Sequence, residues 1–220
     1  MIETLLPPGV ATVSAFGDLS PGEDRGLFPA EAAVVARSVA RRRAEFTTVR
    51  LCARRAMDQL GLEPVPLLNG KRGAIRWPDG VSGSMTHCLG FRAAAVARTE
   101  VAVSLGIDAE PNLPLPDGVL ETVSLPRERA GLTELSWRRP DVHGDRLLFS
   151  AKESVFKTWY PLTGLELDFM EAELAFDSAG TFSARLLVPG PEVAGRRHST
   201  FAGRWAVGRG FVLTAIALRG

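Results

Sequence analysis

A carboxylate and a lysine one helical turn apart, Glu153 and Lys157, stand out in the stretch FSAKESVFKTWYPLTG over residues 149–164. Leu147, Ala151, Val155 and Trp159 recur every four residues and form a helical apolar stripe. At about 100° per residue, Phe149, Glu153, Lys157 and Tyr160 fall on another face, so the charged pair stacks away from the core stripe. Alone, the pair has plain explanations. One is an i,i+4 contact contributing roughly 0.2–0.5 kcal/mol to the helix; another is a capping box of Ser150 with Glu153. A second pair of acids, Asp108 and Glu110, closes the segment Gly106-Ile107-Asp108-Ala109-Glu110. Side chains alternate across a strand, so these two carboxylates point the same way and repel each other. A partner cation would relieve that, as would a hard, oxygen-seeking ion such as Mg²⁺; exposure in a loop is the simple alternative.

Basic residues gather elsewhere. Arg42, Phe46 and Arg50 are spaced four apart in a helical run. Two arginines could then share a face with an aromatic ring between them, which suits a phosphate or nucleotide, although a solvated helix face reads equally from the spacing. The turn-rich segment 64–83 carries Lys71, Arg72 and Arg76, which with backbone amides could cradle an anion. His87 follows Ser84 and Thr86 at the mouth of an expected hairpin, as a ligand or as a satisfied structural histidine. Three of the 26 basic residues are lysines, at 71, 152 and 157. A chain that meets its need for positive charge with arginine keeps lysine where a compact, proton-donating cation is wanted.

The 220 residues allow one large domain or two small ones, and a net charge of +1 excludes bulk attraction to nucleic acid or a membrane surface. Any anion site is therefore local. Two cysteines, Cys52 and Cys88, without a disulfide framework point to a reducing, cytoplasmic setting. The start, MIETLLPPGV, lacks a basic, then apolar, signal segment, and no run reaches the roughly 20 apolar residues of a membrane span.

The elements that must carry these groups read as α+β. A strand is expected over 12–16 and a loop over 17–28. Two helices follow over 29–60, opened by Pro29 and broken near Phe46. Strands at 91–97 and 101–107 are expected to pair through a tight turn at Arg98-Thr99-Glu100. A Pro-rich connection over 111–144 holds a short helix near 126–135 and serves as a hinge. Strands near 171–176, 182–188, 200–207 and 211–218 come last, the final pair turning at Gly208-Arg209-Gly210. Residues 1–110 and 111–220 thus form two similar halves, each a helix followed by a hairpin; FRAAAVARTEVAVSLGI and FAGRWAVGRGFVLTAIAL are loosely alike.

In order, RRRAEFTTVR, WPDGVSGSMTH, GIDAE and FSAKESVFK resemble the Sfp-type 4′-phosphopantetheinyl transferases over residues 30–165, and the WYPLTG extension looks like the family's actinobacterial branch. Val49 stands where many members have glycine. The resemblance implies two α+β halves related by a pseudo-twofold axis, active as a monomer, with coenzyme A in the cleft between them. It implies that Asp108, Glu110 and Glu153 hold Mg²⁺, or Mn²⁺, together with the pyrophosphate of coenzyme A. Arg42 and Arg50 would bind its phosphates and adenine end, Asn69, Gly70, Lys71 and Arg72 would line the nucleotide, and Thr86 and His87 would face the 3′-phosphate. Lys152 and Lys157 would sit by the pyrophosphate. The implied reaction moves phosphopantetheine to a serine of an acyl or peptidyl carrier protein and releases 3′,5′-ADP. Asp108, Glu153 and Lys157 would be catalytic: Lys157 beside the leaving phosphate, and Glu153, or secondarily Glu128, as base for the serine. Fatty-acid, polyketide and non-ribosomal peptide carriers all qualify as acceptors. A metal-dependent pyrophosphohydrolase of coenzyme A or nucleotides would use the same acids, and a non-catalytic module binding coenzyme A or a carrier would not need all of them.

Overall fold

The apolar stripe of 147–159 and the alanine-rich strands each need a covering layer, and a computed structural model describing residues 1–19 and 26–220 shows what covers them. The middle of the loop expected over 17–28 lies outside the described residues. In chain order the elements are β1 (Ala11–Phe16), α1 (Pro29–Val35), α2 (Ala40–Gln59), β2 (Val81–Cys88), β3 (Phe91–Arg98) and β4 (Ser104–Pro111). Then come α3 (Val119–Val123), α4 (Pro126–Arg138), α5 (Gly144–Thr163), β5 (Ala172–Asp177), β6 (Thr181–Leu186), β7 (Glu192–Val193), β8 (Arg196–Arg197), β9 (Thr200–Gly208) and β10 (Phe211–Leu218). A three-stranded sheet has the order β1-β3-β2, a five-stranded one β4-β10-β9-β6-β5, and β7 pairs with β8. The fold is α+β, as expected. One core lies between α5 and the larger sheet, around Leu147, Trp159, Phe201 and Trp205. A second joins the sheets through Phe91, Leu105, Ile107 and Leu213, and a third lies under α2 around Met57, Leu67 and Val96.

Two expectations fail for instructive reasons. Both strands of the expected 91–107 hairpin exist, but they do not pair with each other. β3 is paired on both edges, by β1 and β2, while β4 pairs with β10, Asp108 opposite Thr214. β2 lay hidden in a stretch read partly as loop, because its buried positions are Ser82, Ser84 and Thr86 rather than apolar residues. These hydroxyls face the open edge of β4. Ile107 N donates to Ser84 Oγ at 3.1 Å, Ala109 N donates to Thr86 Oγ1 at 3.2 Å, and Ser82 Oγ donates to Ala102 O at 2.6 Å. A row of side chains thus satisfies backbone groups that a neighbouring strand would otherwise pair, and it joins the two sheets at their edges.

Two helix boundaries also differ. The break in the 29–60 run lies between Val35 and Ala40, and α2 runs unbroken through Phe46, which is buried. α5 starts at Gly144, so Ser150 is not a cap. It sits buried in mid-helix, with Ser154, against Thr214 of β10: Ser150 Oγ lies 3.0 Å and Ser154 Oγ 2.7 Å from Thr214 Oγ1. The helix closes on Gly164 at φ 66°, whose N–H donates to Tyr160 O at 2.8 Å. α5 also rests on bare backbone of β4. A Cβ at Gly106 would lie 2.0 Å from Ser154 O and 2.3 Å from Thr158 Oγ1. That close approach brings Glu153 and Lys157 beside Asp108. Among the described residues, no helix is long and apolar enough to cross a membrane.

Candidate active site

Asp108, 5% exposed, lies where β4 meets both β2 and α5. Its Oδ1 accepts from Lys157 Nζ at 2.7 Å and from Thr86 Oγ1 at 3.1 Å. Its Oδ2 is buried and has no hydrogen-bond donor among the described residues. Lys157 Nζ also donates to Ile107 O at 3.2 Å. Glu110, two residues on, pairs with Arg146 at 3.0 Å. Burial, then Asp108, push its carboxyl above the ordinary glutamate range, against the pull of Arg146. For Glu153, burial raises the carboxyl, Lys157 lowers it and Asp108 raises it further. Asp108 thus works against the ionisation of both Glu110 and Glu153.

That donor set fits a hard cation. It offers carboxylate oxygens, one of them buried and without a partner among the described residues. Among the described residues no three acidic, histidine or cysteine side chains are grouped so as to hold a metal ion by themselves. Mg²⁺ ordinarily takes only one or two carboxylates, supplemented by water and substrate phosphate.

The folded protein keeps the Glu153 proton to higher pH than the unfolded chain. This group's contribution to stability is therefore fully present below its ordinary value of 4.5 and is lost as pH rises through the raised folded value. Glu153→Gln removes that loss. The metal-free variant should gain melting temperature over the parent as pH climbs above 4.5, and the gap should close below it. A gap that is flat, or that narrows with rising pH, contradicts the burial argument.

The basic residues separate into two sets. Arg42 Nη1 donates to His87 Nε2 at 2.8 Å, and Arg42 is half exposed. Burial, then Arg42, lower the His87 pKa, and facing a guanidinium that can only donate, Nε2 is the acceptor. Lys71 is exposed, and Arg72, in the left-handed region at φ 55°, pairs with Glu166 of the segment after α5. Arg50 is instead 3% exposed and internally committed. Its Nε donates to Leu67 O at 3.0 Å and its Nη2 to Asn69 Oδ1 at 2.6 Å, while the guanidinium stacks 3.2 Å over the Phe46 ring. Burial pulls its pKa down to about 10. Arg50 therefore secures the Asn69–Gly70 turn and has little left for a ligand.

Three further expectations meet a different geometry. Thr86 is buried, with its hydroxyl spent on Asp108 and Ala109 N, and adjacent strand residues face opposite ways, so it does not share the face of His87. The Lys152 side chain, 1% exposed, pairs with Glu128 at 2.9 Å and donates to Phe169 O at 2.5 Å and Ala172 O at 2.7 Å. Glu128 in turn accepts from Leu174 N at 2.7 Å and Leu125 N at 2.6 Å. This pair staples α4, α5 and the edge of β5. Glu128 has no oxygen left to act as base, and Lys152 has no donor aimed at a pyrophosphate. Neighbours in a helix point about 100° apart, which is why Lys152 turns inward while Glu153 opens to the cleft.

Glu153 sits where two cavities meet. One, of about 170 Å³, runs between α5 and the first sheet, past Arg72, Trp77, Met85 and Lys157. The other, of about 210 Å³, runs between α5 and the 167–172 segment and is lined by Val155, Phe156, Leu167 and Phe169. Sequence reasoning passed over Phe156, three residues beyond Glu153, and Arg146, seven residues before it; helical spacing was the available signal for both.

Carboxylates opposed to a lysine, with Arg42 and His87 close by, suit a polyanionic substrate. Residues 30–97 match the 4′-phosphopantetheinyl transferase N-terminal domain, and residues 104–214 match the 4′-phosphopantetheinyl transferase superfamily. The chain is 68% identical over 219 residues to the 4′-phosphopantetheinyl transferase Svp of Streptomyces mobaraensis, covering 99% of this chain and 89% of that protein. It is 46% identical over 225 residues to the 4′-phosphopantetheinyl transferase PptT of Mycobacterium tuberculosis, covering 99% of this chain and 98% of that one. It is 47% identical over 226 residues to the 4′-phosphopantetheinyl transferase Npt of Nocardia iowensis, covering 99% of each. The chain belongs to the 4′-phosphopantetheinyl transferase superfamily. It is a transferase, of a superfamily that moves phosphopantetheine from coenzyme A to carrier proteins.

Proposed function

We propose that Asp108, Glu110 and Glu153 form the acid site at which phosphopantetheine is passed from coenzyme A to a carrier serine hydroxyl, with 3′,5′-ADP as the leaving group. The observation that carries this reading is the buried Oδ2 of Asp108, which has no donor among the described residues, beside Lys157. The three acids would hold Mg²⁺, with Mn²⁺ as a substitute. When bound, the ion would neutralise charge on the pyrophosphate. Lys157 Nζ is the cation beside the scissile phosphate and donates to the departing oxygen. Glu153, in its ionised form and made more basic by burial, would take the serine proton directly or through water. The cavity past Phe156, Leu167 and Phe169, lined also by Lys152, Glu153 and Asp168, suits the amide-bearing pantetheine arm, since it adjoins Glu153.

At the nucleotide end, Arg42 and His87 would take the 3′-phosphate. Lys71 and Arg72 would line the nucleotide with the Asn69–Gly70 turn, and Arg50 would act through Asn69. The halves 1–110 and 111–220, related by a pseudo-twofold axis, share β4, which ends one half and pairs with β10 of the other. A monomer in a reducing, cytoplasmic setting agrees with two free cysteines whose thiols burial pushes up to about 11 for Cys52 and about 12 for Cys88.

Calorimetric titration with coenzyme A and with 3′-dephospho-coenzyme A tests the nucleotide end. The parent protein should prefer coenzyme A. Arg42→Ala and His87→Ala should lose roughly 10-fold or more of that preference, the value of a charge-assisted hydrogen bond. A preference kept by both variants would remove these residues from the 3′-phosphate.

A further inference from the structure

Arg146 has no part in the roles above, yet it bridges the two elements that carry the acids. Its Nη1 donates to Glu110 Oε2 at 3.0 Å, its Nε to Leu113 O at 3.0 Å and its Nη2 to Pro114 O at 2.9 Å. The side chain is 16% exposed. The segment it grips leaves β4 directly and is tied to the start of α5 twice more. Leu115 N donates to Asp145 Oδ2 at 2.7 Å, and Asn112 bonds both Asp141 O at 2.8 Å and His143 N at 3.0 Å. Seven residues are two helical turns, so Arg146 and Glu153 lie on one face of α5. One guanidinium thereby links the strand bearing Asp108 and Glu110 to the helix bearing Glu153.

We propose that Arg146 is the positioning residue of the cation site. It occupies one oxygen of Glu110, leaves Oε1 for the cation, and sets the spacing between Glu110 and Glu153. This rests on the reading of Glu110 as a cation ligand. The other role available to an arginine here is that of a placeholder that holds Glu110 until the cation displaces it. A placeholder has to swing away. Arg146 spends three donors on three acceptors of a segment that is itself pinned, and only the planar fork of arginine meets all three together. The two roles predict opposite signs. Removing a nearby positive charge by itself tightens cation binding, whereas losing the support of a ligand weakens it, by roughly 10–100-fold in known sites.

The test is Mn²⁺ binding to the full chain with coenzyme A and no carrier, followed by the electron paramagnetic resonance of free Mn²⁺. Arg146→Gln should weaken binding by roughly 10-fold at unchanged stoichiometry. Arg146→Lys, which restores the charge but not the fork, should fall between that variant and the parent. Should Arg146→Gln not fold, Arg146→Lys decides alone: weaker binding supports the proposal and parental binding overturns it. Unchanged or tighter binding by Arg146→Gln overturns it, tighter binding marking a placeholder. Glu110→Gln tells the two levels apart. If it binds Mn²⁺ as the parent does, Glu110 is no ligand and the proposal falls with that reading. If it binds weakly while Arg146→Gln does not, the positioning role alone fails.

Discussion

Asp108→Asn should leave the protein folded, with a melting temperature within a few degrees of the parent, and lower phosphopantetheine transfer by on the order of 10³-fold, the loss typical of removing a preorganised charge-stabilising group. Asparagine has the shape of aspartate, and its Oδ1 can keep accepting from Thr86 and Lys157. The amide replaces Oδ2, which has no donor to lose among the described residues. The substitution also takes a negative charge away from Glu110 and Glu153, both held above their ordinary range partly by Asp108. Stability therefore loses little, while the cation site loses its most buried oxygen. Transfer rates by carrier mass, measured beside thermal melts, check both halves. Turnover near the parent rate in saturating Mg²⁺ would remove Asp108 from the chemistry, and a collapsed melt would make its role structural.

Gly106→Ala should act in the opposite order, on structure first. The added Cβ would lie 2.0 Å from the carbonyl oxygen of Ser154 and 2.3 Å from Thr158 Oγ1, with Ser154 C at 3.0 Å. Two of these atoms are helix backbone and cannot rotate aside, so α5 must shift as a body. Overpacking of this kind costs about 3 kcal/mol or more, a drop of roughly 6–12 °C for a chain of this size. The shift carries Glu153 and Lys157 away from Asp108, so surviving folded protein should also need more Mg²⁺ for half-maximal rate. Thermal melts and a Mg²⁺ titration of the rate check this; a variant that melts and titrates like the parent would show that the close approach of α5 to β4 is unnecessary.

What the sequence disclosed depended on whether a pattern carried its meaning in spacing. The stripe Leu147, Ala151, Val155 and Trp159 is regular, and all four side chains are buried in α5. Asp108 and Glu110 were legible as a pair on one strand face, since alternation holds whatever the strand pairs with. β2 was not, because Ser82, Ser84 and Thr86 turn inward to serve the edge of β4, the reverse of the usual apolar-in pattern. The true partners of β3 and β4 were missed for the related reason that strand partners depend on distant residues, for β4 Thr214 and its neighbours. Spacing also says nothing of burial. Arg50, Lys152 and Glu128 carry the residue types of a phosphate site, yet the fold spends them on Leu67 O, Asn69, Ala172 O and Leu174 N.

The most direct measurement is the intact mass of an apo carrier protein after incubation with this chain, coenzyme A and Mg²⁺, with and without a chelator. The account predicts a gain of one phosphopantetheine that is lost with chelator and lost with Asp108→Asn. ADP appearing from coenzyme A with no gain of mass on any carrier class would contradict it, leaving the acids to serve hydrolysis instead of transfer.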